Sequence, residues 1–324
     1  MTIINDGFPG GRIMAKYEKA TQPTIYFIGV TTGSSSIMKV FPKWAKALGL
    51  KDAVIKGIDF KPHSDPEAYR EAVSFIKEDP LSLGALVTTH KIDLYNSCKD
   101  LFEYLDPFAL QLGEISSISK LDGQLRGHAK DPISSGLALE MFVPENYWKD
   151  HGGQVLLMGA GGSSLAMSVY FTQDKFADNM PAKITIANRS QPRLDAAKEL
   201  LKEAQTKTQF DFVLDPTPED NDRTLASLPP YSLVVNATGL GKDGPGSPLT
   251  DAGVFPEHSL VWEINYRGDL LFKRQADAQK EERDLYVEDG WNYFIHGWTQ
   301  VISEVFHVPI EGETLQQLSE IAKQ

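Results

Sequence analysis

The run from Gln154 to Gln173, QVLLMGAGGSSLAMSVYFTQ, carries no charge and constrains this chain more than any other segment. Its length would suit a membrane span. The small residues Gly159-Ala160-Gly161-Gly162-Ser163-Ser164 break it in the middle. It therefore reads as an apolar strand from Gln154 to Met158, a tight turn, and a helix through about Tyr170. Without a side chain at Gly159 the chain can turn sharply off the strand, and without one at Gly161 the backbone can approach an anion closely. The helix start adds unpaired N–H groups and a partial positive charge. A Gly-x-Gly-x-x-Ser pattern alone equally describes a tight turn with no ligand, so its neighbours have to decide.

Short apolar runs alternate with helical periodicity on both sides of this turn. Strands are expected from Thr24 to Val30, Ala53 to Ile58 and Gly84 to Thr88, with helices from Ile37 to Leu48 and about Asp65 to Lys77 between them. Asp106-Pro107 restarts a helix, because Asp caps and Pro suits a first helical turn. Glu114 to Ser119 and Gln124 to Gly127 read as short strands around Leu121-Asp122-Gly123. Beyond the glycine turn, strands are expected from Lys183 to Ala187, Phe210 to Leu214, Ser232 to Asn236 and Leu260 to Ile264, and helices from Pro192 to Glu203 and Trp291 to Phe306. Residues 215 to 230, rich in Pro and Asp, read as a surface loop with a short helical turn. Such alternation implies mostly parallel sheets, and 324 residues suit two domains. The expected fold class is α/β. An N-terminal domain covers residues 1–131, with 289–324 returning to it, and a Rossmann-type dinucleotide-binding domain covers 132–288.

Composition excludes several classes of partner. The net charge is −12, and no region gathers enough Lys and Arg to track a phosphate backbone, so no nucleic-acid partner is expected. A small anion needs only local donors. The single cysteine, Cys98, permits no internal disulfide and fits a cytoplasmic location. It lacks the His/Asn signature of a catalytic thiol and reads as a packed residue. The N-terminal MTIINDGFPGGRIMAKYEK has no apolar core and reads as a lead-in, not a signal peptide. His90 and His128 join no cluster with zinc-like spacing, so no metal is expected. Trp44, Trp291 and Trp298 lie on helical stretches and read as packing residues. A small-molecule substrate, no membrane, and a monomer or homodimer complete these expectations.

The strand after the glycine turn ends in Asn188-Arg189-Ser190, with Arg193 one helical step onward. NAD sites usually place Asp or Glu there to accept from the ribose hydroxyls. A guanidinium instead suits a 2′-phosphate. The expected cofactor is therefore NADP, or NAD in its place. A solvated surface pair of arginines is the alternative.

The order of landmarks resembles the shikimate dehydrogenase family across nearly the whole chain. The family's Gly-x-x-x-x-His-Ser-x-Ser-Pro is matched, with a shift, by GVTTGSSSIM from Gly29, which brings in Ser34, Ser35 and Ser36. Its Lys-bearing motif is matched by VTTHK, ending at Lys91. Gly-Ala-Val-Asn-Thr corresponds to Gly113-Glu114-Ile115-Ser116-Ser117, and Gly-x-Asn-Thr-Asp to Gly127-His128-Ala129-Lys130-Asp131. The glycine turn (Gly159 to Ser163), the Asn188-Arg189-Ser190-x-x-Arg193 element and Asn236-Ala237-Thr238 follow in order. Tyr266 falls at the family's Asp-x-x-Tyr, with Glu263 in place of Asp, and Asp289-Gly290 opens the last helical region.

The resemblance implies a substrate-binding first domain, with Ser34, Ser35, Ser36, Ser116, Tyr266, Tyr293 and His296 around the substrate. It adds Asn236, Ala237, Thr238 and Gly290 to the cofactor site. It also implies Lys91 and Asp131 as the catalytic pair of an oxidoreductase that interconverts a secondary alcohol and a ketone. A Lys can relay the hydroxyl proton, and a facing carboxylate orients it. Shikimate itself is expected to be a poor substrate. In an ungapped match Ile37 replaces the second family Ser, Ala85, Ser116 and Ala129 replace Asn residues, and Gly297 (or Gln300 after one turn) meets a family Gln. The alternatives are a methylene-tetrahydrofolate-type dehydrogenase, which also uses a Lys, and a non-catalytic NADP-binding sensor.

Overall fold

The computed structural model describes residues 17–324 apart from Ala177, Glu203, Gln205 and Asp243. The first sixteen residues of the N-terminal lead-in, and Glu203 at the end of an expected helix, thus lie outside the described residues. Contacts divide the chain into two units. One runs to Lys130 and includes Trp298–Gln324; the other is Asp131–Gly297.

The first unit contains, in order, β1 (Thr24–Gly29), α1 (Ile37–Ala47), β2 (Val54–Asp59), α2 (Pro66–Glu78), β3 (Ser82–Val87), α3 (Lys91–Cys98), β4 (Tyr104–Leu105), α4 (Pro107–Leu112), β5 (Ser117–Leu121) and β6 (Gln124–His128). Local chemistry sets the helix starts. Asp65 accepts from the Glu67 amide at 3.0 Å with Pro66 in the first turn of α2, and Asp106 accepts from the Ala109 amide at 2.7 Å ahead of α4. The sheet order is β2-β1-β3-β5-β6-β4. β1 pairs in parallel with β2 and β3, whereas β5 runs antiparallel to β3 and to β6. Tyr69, Val73, Ile76, Val87, Leu94 and Ile118 form part of its core. Cys98 is wholly buried within that core, and burial pushes its thiol up to about 12.

The second unit contains α5 (Asp131–Glu140), α6 (Tyr147–His151), β7 (Val155–Met158), α7 (Gly162–Phe171), β8 (Lys183–Asn188), α8 (Gln191–Leu201), β9 (Gln209–Leu214), α9 (Pro218–Ala226), β10 (Leu233–Asn236), β11 (Leu260–Glu263), α10 (Leu271–Asp277), α11 (Lys280–Arg283) and β12 (Tyr286–Glu288). Its strands lie in the order β12-β11-β10-β7-β8-β9 and all pair in parallel. β7, β10 and β11 are buried at every position, as strands covered on both faces must be. α12 (Trp291–Phe306) crosses the division between Gly297 and Trp298, and α13 (Gly312–Ala322) belongs to the first unit. No helix among the described residues is long and apolar enough to cross a membrane; the uncharged run from Gln154 is β7, a turn and α7.

Several local expectations need correction. The stretch 215–230 is no loop with a mere turn, because it holds α9. Thr217 accepts from the Asp220 amide while Asp220 accepts from the Thr217 amide, a capping box that satisfies both donors. The strand expected to run to Thr88 ends one residue sooner. β3 stops at Val87, Thr89 takes a left-handed φ of 57°, and Lys91 is the first residue of α3. The strand expected from Glu114 begins at Ser117.

Candidate dinucleotide site

The crossover strands of the second unit leave β7 and β10 adjacent in the middle of the sheet, with β8 and β9 on one side and β11 and β12 on the other. This is the switch point at which the chain reverses direction across the sheet, and crevices form at the carboxyl ends of such strands. A cavity of about 390 Å³ lies there. Its floor is the turn between β7 and α7. Gly159 has a φ of 109°, and a Cβ there would stand 2.5 Å from the Ala237 carbonyl oxygen. Only glycine meets both conditions. A Cβ at Gly161 would meet nothing within 4 Å, so open space faces the backbone at the start of α7. The Ser164 hydroxyl donates to the Gly159 carbonyl at 2.7 Å and holds the turn closed.

Nine of the residues singled out for cofactor contact line this cavity: Gly159, Ala160 and Gly161 from the turn; Asn188, Arg189, Ser190 and Arg193 from the β8–α8 junction; and Ala237 and Thr238 after β10. Both arginines are exposed. The Asn188 side-chain amide nitrogen is buried, with no hydrogen-bond partner among the described residues. A ligand acceptor reaching it would relieve that cost. Gly162 and Ser163 instead form the first residues of α7. Gly290 lies against β11, where a Cβ would stand 2.0 Å from the Ile264 carbonyl oxygen. Its missing side chain serves packing.

Asn236 lies beneath the cavity wall. Its amide donates to Glu263 at 2.7 Å, while its carbonyl oxygen accepts from the Thr238 amide and hydroxyl at 3.1 and 2.6 Å. Glu263 is wholly buried and also accepts from the Asn265 amide and side chain at 2.9 and 2.7 Å. Burial, partly offset by these donors, pushes its carboxyl up to about 7. The sequence comparison marked Glu263 only as a departure; its place beneath the 236–240 segment was not foreseen. Asp215, Thr217, Asn221 and Ser247, with three prolines (Pro216, Pro218 and Pro248), also line the cavity and were missed. The readable signal was the capping box at Thr217.

The residues expected around a substrate fall in different places. Ser34 ends a short 3-10 turn and donates to the Thr31 carbonyl at 2.9 Å; Ser35 and Ser36 lead into α1. Ser116 is buried, and its hydroxyl accepts the Lys130 amide at 2.7 Å. Within the second unit, Tyr293 reaches Ser163 at 3.5 Å, Tyr266 packs on Phe294 with ring centroids 4.6 Å apart, and His296 approaches the Met141 sulfur at 3.3 Å. Burial pulls His296 below its ordinary value, which favours the neutral ring. Lys91 opens α3 and Asp131 opens α5, each half-buried.

A parallel sheet in this order, with a glycine turn at its switch point, defines an α/β protein with a dinucleotide-binding unit of the Rossmann type. No family model matches the chain. It is 32% identical over 169 residues to a shikimate dehydrogenase (NADP+) of Symbiobacterium thermophilum, a match spanning 51% of this chain and 53% of that relative. It is 26% identical over 232 residues to one from Bacillus thuringiensis, spanning 71% of this chain and 75% of the relative. The crystal structure of shikimate 5-dehydrogenase from Listeria monocytogenes, in complex with shikimate and NAD, superposes with a TM-score of 0.69 at 19% identity over 94% of this chain and 98% of that one. The chain is thus similar in sequence to shikimate dehydrogenases over 51% to 71% of its length, and its fold is theirs.

Proposed function

We propose that the protein is an NADP-dependent oxidoreductase interconverting a secondary alcohol and a ketone on a shikimate-like cyclic polyol or hydroxy acid. The observation that carries this reading is the cavity at the switch point, bounded by the Gly159–Gly161 turn and by Arg189 and Arg193. The room beside Gly161 and the orphaned Asn188 amide nitrogen fit a phosphate-bearing ligand. In this reading the first two phosphates lie on the start of α7, and the arginines hold a 2′-phosphate. Bound there, NADP supplies the hydride acceptor or donor. The first unit takes the substrate, and Lys91 and Asp131 move and orient the hydroxyl proton. Lys91 is the first residue of α3, which fixes its backbone at the end of the loop that follows β3.

The names of the curated relatives support NADP as the cofactor. Arg189→Ala tests this. A charge-assisted contact is worth ~1.5–3 kcal/mol, so KM for NADP+ should rise roughly tenfold to a hundredfold while KM for NAD+ stays nearly constant. A wild type that prefers NAD+ would remove the assigned role of Arg189.

Shikimate should be a poor substrate in this reading. Ser116, at a position where the family carries Asn, spends its hydroxyl on the Lys130 amide, and Ala85 and Ala129 offer no polar group. Each unpartnered substrate hydroxyl costs ~1–3 kcal/mol, so three lost contacts amount to about 10²-fold or more in kcat/KM. A kcat/KM for shikimate above roughly 10⁴ M⁻¹s⁻¹ would show that other groups replace these contacts.

A further inference from the structure

Asp215 follows β9 directly and stands at the edge of the cavity farthest from β10. Its amide donates to the Asn188 carbonyl at 3.0 Å, which seats it beside Arg189. It is 6% exposed, yet it lines the cavity. The Thr224 hydroxyl donates to Oδ2 at 2.7 Å. Among the described residues, no second donor joins it at Oδ1. Burial raises its carboxyl above the ordinary value, the Thr224 bond and Arg223 only partly offsetting this. A buried carboxylate that is half satisfied gains from one more donor.

The geometry of a dinucleotide says which donor could arrive. With its pyrophosphate at Gly159–Gly161 and its 2′-phosphate on Arg189 and Arg193, the base attached to that ribose extends outward past β8, toward β9. Pro216 and Pro218 line this end and offer apolar faces to a flat ring. We propose that Asp215 reads the adenine base of the cofactor, accepting a hydrogen bond from its exocyclic amino group, with Thr224 holding the carboxylate in place. This rests on the dinucleotide reading of the cavity. A carboxylate only accepts, so it discriminates adenine from a base that carries a carbonyl oxygen at the same position.

The test compares binding of NADPH and its hypoxanthine analogue, in which a carbonyl replaces the amino group, by isothermal titration calorimetry at neutral pH. Wild type should bind NADPH roughly tenfold to a hundredfold more tightly, the range of a charge-assisted bond. Asp215→Asn keeps the shape and the Thr224 bond, and its amide can turn either group to the base. It should shrink the ratio to within about threefold. Equal binding of the two ligands by wild type, or an unchanged ratio in Asp215→Asn, would overturn the assignment while leaving the dinucleotide site standing. A uniform loss for both ligands would make Asp215 a ribose contact and overturn it likewise. Failure of wild type to bind either ligand would instead remove the dinucleotide reading, and this inference with it.

Discussion

At the scale of single residues, the least ordinary group is Glu263. It is a wholly buried acid at the carboxyl end of β11, held by three donors from Asn236 and Asn265. Those donors favour the ionised form and burial favours the neutral one. Burial wins, and the carboxyl is pushed up from its ordinary value of 4.5 to about 7. A raised pKa means that the folded state binds the proton more tightly than the unfolded chain does. The resulting stability is fully present below the unfolded pKa and is lost as pH rises through about 7. At ~1.4 kcal/mol per pKa unit the loss is about 3 kcal/mol. Denaturant titrations between about pH 5 and pH 8.5 should therefore show wild type weakening with pH and Glu263→Gln lacking most of that fall. Parallel pH profiles for the two proteins would mean that Glu263 is ionised throughout. Such a group was only partly legible in the sequence. The order of motifs placed Glu263 where the family has Asp, but a residue's burial and its three donors come from strands β10 and β11 lying side by side, which no local pattern encodes.

At the scale of elements, legibility followed the strength of the local signal. The span of α12 was read to the residue, and β1, β8 and β9 to within one at either end, because apolar runs and capping residues mark them. The start of α3 at Lys91 was not legible, because Thr89 is not a residue whose sequence announces a positive φ. α9 was missed for a different reason. Pro and Asp read as loop formers by composition, although Thr217-Pro218-Glu219-Asp220 is a helix start. The Thr217 side chain accepts from the Asp220 amide, and its loss should destabilise the protein by ~1 kcal/mol in Thr217→Ala, the usual worth of an N-cap. Chemical denaturation measures this, and no change would mean that α9 frays at no cost. The helix carries Asn221, which lines the cavity, and its cap lies two residues after Asp215. A looser α9 should also weaken NADPH binding in the same variant.

At the scale of the whole molecule, a chain of net charge −12 still sets two exposed arginines and a helix start around the cavity at the switch point. Net charge bears on solubility and nonspecific partners, whereas a helix start and two guanidinium groups act over a few ångströms. The fold class was legible because a parallel sheet built from βα units leaves a repeated sequence rhythm. The substrate was not, because fold does not fix function and the relevant contacts come from separated motifs. The central claim is therefore chemical, that Lys91 relays a proton for hydride transfer with NADP. Its most direct test is the rate of NADPH formation from NADP+ with a panel of cyclic polyols and hydroxylated cyclohexene acids, for wild type and Lys91→Ala, alongside calorimetric NADPH binding by both. The account predicts turnover of at least one alcohol by wild type, a fall of ~10²–10⁴-fold in kcat for Lys91→Ala, and equal NADPH affinity in the two proteins. NADPH binding without turnover of any alcohol, or a Lys91→Ala enzyme with near-normal kcat, would contradict it.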